Sequence, residues 1–141
     1  MRRLLSSIFL LLGWASAALA GDVRFRPVEI WIDSGDRPLA AYQLELTYDR
    51  AAASLVGVEG GDGPFSAPPY YDPRGLTAGR VVLAAFTTQE GPPKGRVRVA
   101  RVHLEERAEA RLAVRLTVAG TVGGDRIPAT IEMNWEGGGV R

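Results

Sequence analysis

The chain has 141 residues, with 17 lysines and arginines against 16 aspartates and glutamates, one histidine and no cysteine. Near-neutral charge with both signs interspersed argues against nucleic acid or an anionic membrane surface as partner, because both reward a basic patch. The absence of cysteine excludes a disulfide framework and a lipid-attachment cysteine, and one histidine leaves a transition-metal site without ligands.

The first twenty residues read as an export signal. Arg2 and Arg3 form a basic n-region, an apolar run follows from Leu4 to Gly13, and Ala18-Leu19-Ala20 is an A-x-A cleavage site. Cleavage before Gly21 removes two arginines, leaving 15 basic residues against 16 acids. The expected product is one domain over residues 21–136 with a loose tail over 137–141, exported to a periplasm or beyond and not inserted in the membrane. A domain of that length buries roughly two thirds of its unfolded surface and is stable without staples.

Strands follow in order. Val28, Ile30 and Ile32 alternate with Glu29, Trp31 and Asp33, and Tyr42, Leu44, Leu46 and Tyr48 alternate with polar residues. Shorter strands fit Leu55–Glu59, Arg80–Thr87 and Arg96–Glu105. Leu112, Val114, Leu116 and Val118 repeat the period, and Ile127 to Trp135 close the chain with it. A period of two with one polar face demands an antiparallel sheet packed on one side. The apolar phase shifts between Val99 and Val102, a bulge signature, and Pro27 marks a similar break after Phe25. Gly-rich turns separate the strands, and Asp49 is placed to cap one helical turn. About seven such strands predict a single all-β, two-sheet antiparallel β-sandwich.

The segment VEIWIDSGDRPLAAYQLELTYDRAAASLVGVEGG resembles the opening of a cohesin-like domain, a jelly-roll sandwich akin to carbohydrate-binding modules. The shared pattern is a strand, a short loop, a strand ending in aromatic-Asp (Tyr48-Asp49), one turn and a short strand. RVVLAAF and VRVARVHLE fit the strands that follow, so the resemblance covers most of residues 23–134. Arg50 stands where a proline often follows the Asp. The resemblance implies a non-catalytic binding or assembly module. Cohesins of cellulose-degrading complexes bind dockerin modules through one sheet face, but no residue pattern here carries that contact surface over.

The chemistry inventory is sparse, and no catalytic residue is assigned. His103 alternates with Val102 and Leu104 and faces solvent without partners. Glu105, Glu106 and Glu109 read as a solvated strand end near Arg107 and Arg111. Calcium is the one ion left open as cofactor, since Asp33, Asp36, Asp49, Asp62 and Asp125 lie in turns, yet none forms a D-x-D-x-D-G loop.

The loop GPFSAPPYYDPRG, Gly63 to Gly75, is the strongest candidate for recognition. Prolines limit the entropy lost on ordering, and aromatic rings give large contact area at low rotamer cost. The same features suit an Ω-like loop that packs Phe65 onto the sandwich as a lid. Candidate contact residues are Phe65, Tyr70 and Tyr71 in the loop and Trp31 on an outer sheet face. Two functions remain open. One is a protein-interaction module of the cell envelope. The alternative is a carbohydrate-binding module, which needs two or three exposed rings aligned on one face. The scarcity of aromatics outside the loop favours a protein partner.

Overall fold

In a computed structural model that describes residues 21–135 and 138–140, eight strands form two antiparallel sheets. They are β1 (Arg24–Asp33), β2 (Ala41–Tyr48), β3 (Ala53–Gly60), β4 (Arg80–Phe86), β5 (Arg96–Glu106), β6 (Leu112–Gly120), β7 (Thr130–Trp135) and β8 (Gly138–Val140). The larger sheet runs β3-β5-β1-β7-β8 and the smaller β4-β2-β6. A 3-10 turn (Gly63–Phe65) and a one-turn helix, α1 (Gly75–Ala78), lie between β3 and β4. The predicted signal segment falls outside the described residues.

The alternation read from the sequence becomes the core. Val28, Ile30 and Ile32 of β1 and Tyr42, Leu44 and Leu46 of β2 are buried, as are Val99, Val102 and Leu104 of β5. Their neighbours one position along face outward, as the pleat requires. The expected bulge in β5 is present. Ile30 opposes Ala100 and Trp31 opposes Arg98, so Val99 is the extra residue, and both Val99 and Ala100 are buried. Inserting one residue lets the strand keep apolar side chains inward on both sides of the shift.

Four expectations change. No register break occurs at Pro27, which opposes His103 in an unbroken ladder; the apparent phase shift arises because Phe25 is simply exposed. The last long strand starts at Thr130, not Ile127. Pro128 lacks the N–H that a ladder needs, and Ile127 is buried from a separate segment, its amide donating to Ala119 O at 2.9 Å. The helical turn at Asp49 is a turn only, with Asp49 Oδ1 accepting from the Ala51 amide at 2.9 Å. Within the segment expected as a loose tail, Gly138–Val140 pairs with β7, opposing Trp135 to Met133.

Candidate functional site

The Gly63–Gly75 loop is tied down along its length. Gly60 and Gly61 let it turn back over the sheet: a Cβ on Gly61 would lie 1.9 Å from Arg98 O, a distance no side chain tolerates. Gly61 donates to Phe65 O at 2.7 Å. Phe65 then enters the core at 2 % exposure and meets Tyr42 edge-on, with ring centroids 5.4 Å apart. Tyr42 is itself buried, its hydroxyl donating to Val99 O at 3.2 Å, and burial pushes that phenol's pKa up. At the far end the Tyr48 hydroxyl donates to Gly75 O at 2.8 Å.

Phe65 is therefore a correction to the candidate contact set. It closes the end of the sandwich and presents nothing to a partner. Tyr71 packs half-buried against the same core. Tyr70 goes the other way. Its backbone makes a two-hydrogen-bond bridge to Ala84 of β4 (2.8 and 3.0 Å), extending the smaller sheet, and its side chain is 72 % exposed. It lies beside Phe86, 64 % exposed, with centroids 6.4 Å apart and rings 13° from parallel.

Phe86 was not singled out from the sequence, although a signal existed. In RVVLAAF, Val81 and Leu83 are buried, so the same alternation places Phe86 outward. The two aromatics stand at one end of the outer face of the β4-β2-β6 sheet. Ala41 opposes Phe86 and Gly120, and Gln43 opposes Ala84 and Val118, so the floor beside the rings is uncharged and mixes small residues with Gln43 and Val118. At the other end Glu45 accepts from both Arg80 and Arg115, which hold its carboxyl below the usual range. The face thus grades from apolar to charged.

The outer face of the larger sheet differs in kind. Trp31 is half-buried beneath the Arg96 guanidinium, 3.8 Å from the ring centroid, and Arg96 Nε donates to Glu132 at 2.5 Å. Glu29 accepts from Arg98 at 2.9 Å and from Arg101 at 2.5 Å. The Arg101 bond, then the Arg98 bond and both charges, hold the Glu29 carboxyl below its ordinary value against the opposing effect of partial burial. His103 Nε2 sits 2.7 Å from Glu59 Oε2. This surface pairs its carboxylates with its own arginines and covers its own tryptophan, leaving Trp31 Nε1, Arg98 Nε and Arg101 Nε without a hydrogen-bond partner.

Glu106 also departs from expectation. Only 4 % exposed, it accepts from Arg26 at 2.5 Å and from Arg24 at 3.3 Å. Its register opposite Arg24 at the end of β5 draws it between the sheets, where an unpaired carboxylate would be costly. Trp135, at the end of β7, packs half-buried against the hydrophobic core with the Arg26 guanidinium 4.9 Å over its ring. Among the described residues no three His, Cys, Asp or Glu side chains gather where a metal would bind.

No protein-family model matches the chain, and no curated protein sequence does. Among solved structures, the seventh ScaB type I cohesin from Pseudobacteroides cellulosolvens superposes with a TM-score of 0.54. The chain has a cohesin-like fold. The superposition covers 78 % of this chain and 76 % of that cohesin at 12 % sequence identity, so the likeness resides in the sandwich. In this cohesin-like domain, no described helix is long and apolar enough to cross a membrane.

Proposed function

We propose that the domain is a non-catalytic, exported assembly module of the cell envelope that engages another protein. Its contact surface is the outer face of the β4-β2-β6 sheet, anchored on Tyr70 and Phe86. The observation that carries this reading is the stacked pair itself: two aromatic side chains left in water on an uncharged stretch of sheet, Tyr70 being held there by a loop whose Phe65 is buried in the core. Paired rings of this size supply the central anchor of a protein interface, and the Glu45–Arg80–Arg115 group at the far end supplies a polar rim. The fold shared with a type I cohesin supports an assembly role over a catalytic one.

A carbohydrate ligand is the second reading, favoured by one feature: rings only 13° from parallel offer a platform on which sugar rings stack. A retention experiment separates the two. Native protein and the Tyr70→Ala/Phe86→Ala double variant, matched for unfolding temperature, are immobilised and exposed to envelope extract of the source cell. A stoichiometric protein held by the native form and lost from the variant supports the reading. Equal retention moves the interface elsewhere. Retention of polysaccharide alone, lost with the same substitutions, establishes the second reading.

A further inference from the structure

Three of the four sheet edges are blunted. The β4 edge is bridged by Tyr70, β3 carries a register shift beside Val56 and packs against α1, and β8 is three residues long. The β6 edge is the exception. It is nine residues long, contains no proline and no lysine, and over Leu112–Leu116 pairs only with β2 among the described residues; a register shift follows at Thr117, Ala119 accepts from the Ile127 amide and Gly120 is bridged by Arg126. A long edge with an unpaired row of backbone groups is a template for an added strand.

The side chains beneath that edge are also open. Leu112, Val114 and Leu116 point inward yet stay half-buried, because the sandwich is not closed between β6 and β7. A groove of about 560 Å³ lies beside Leu112, Tyr48 and Trp135, and another of about 740 Å³ lies beside Val114, Leu116 and Ile131. A strand added to β6 would place alternate side chains over these grooves and the others beside the outward row of β6. The one charge on that outward row is basic. Arg115 is 70 % exposed and shares the Glu45 carboxylate with Arg80, two guanidiniums to one acid, and exposed Arg111 precedes the strand with no ion pair among the described residues.

We infer that the β6 edge receives an extended segment of another protein, apolar at alternate positions and acidic at the positions between. Charge sets the choice of partner. A second copy pairing β6 to β6 would bring two Arg115 side chains within cross-strand reach, and like charges so placed are destabilising. This edge shares Arg115 with the rim of the Tyr70–Phe86 face but stands whether or not that face binds.

The test uses ¹⁵N-labelled protein titrated with two acetylated nine-residue peptides, one alternating valine with glutamate and one alternating valine with lysine. The expected result is slowed amide exchange and shifted resonances along Leu112–Leu116. The glutamate peptide should bind on the order of three- to tenfold tighter, the effect of two cross-strand charge pairs. Arg111→Glu/Arg115→Glu should reverse the preference, and Tyr70→Ala should leave it unchanged. Absence of binding at millimolar peptide, equal affinity for both peptides, shifts confined to Tyr70 and Phe86, or concentration-dependent self-association through β6 would each overturn the inference.

Discussion

Truncating Phe65 to alanine tests whether the proline-rich loop is a lid. The ring is 2 % exposed and meets Tyr42 at 5.4 Å, so the substitution removes a buried aromatic and leaves a cavity under the Gly61 turn. Phe→Ala changes at such sites cost about 3–5 kcal/mol. Against a domain stability of roughly 5–15 kcal/mol this is a large fraction. In urea, with a slope of about 2 kcal/mol/M, the midpoint should fall by roughly 2 M with the slope unchanged. Tyr70→Ala is the internal control. At 72 % exposure it removes no core contact, and its cost should stay within about 0.5 kcal/mol. Equal costs for the two variants, or a Phe65→Ala protein as stable as the native one, would refute the reasoning and return Phe65 to the surface.

Glu106→Gln should destabilise by about 1–3 kcal/mol, because partly buried Arg26 loses its charged acceptor while exposed Arg24 is solvated, read as a drop in urea midpoint; a neutral result would mean water solvates both guanidiniums. Gly61→Ala should prevent the loop from closing over Arg98, visible as faster proteolysis between Gly63 and Gly75; unchanged cleavage would show that the close approach is not required. The Glu29 carboxyl titrates below its ordinary value of 4.5, so the stability it contributes is present above that pH and lost as pH falls through the lower folded value. Glu29→Gln should flatten the loss of stability below about pH 4.5, and parallel acid-unfolding curves for the two proteins would count against the Arg101–Arg98 pairing. Arg96→Ala should uncover Trp31 and red-shift its fluorescence, whereas an unchanged spectrum would mean another side chain covers the ring.

Local pattern carried much of this protein. A period of two is a property of the extended chain itself, so β1, β2, the β5 bulge and the buried residues they supply could be read from the order of residue types alone. The two-sheet sandwich followed from that alternation, while the cohesin-like fold was legible only as a resemblance of the segment from Val28 to Gly61 to such domains. The loop could be picked out but not resolved. Phe65, Tyr70 and Tyr71 sit within seven residues and have similar chemistry, and only the close packing at Gly60 and Gly61 and the bridge to Ala84 send Phe65 inward and Tyr70 outward. Phe86 became its companion through a pairing of segments sixteen residues apart. Glu106 shows the same division. Its charge is local, but its burial depends on Arg24 and Arg26, some eighty positions away, arriving beside it on the neighbouring strand. Sequence alone determined which face β1 and β2 bury, though not β6, where a register shift at Thr117 turns Val118 outward and buries Ala119; the tertiary structure decided which outward side chains stay free, because that depends on what distant segments bring to cover them.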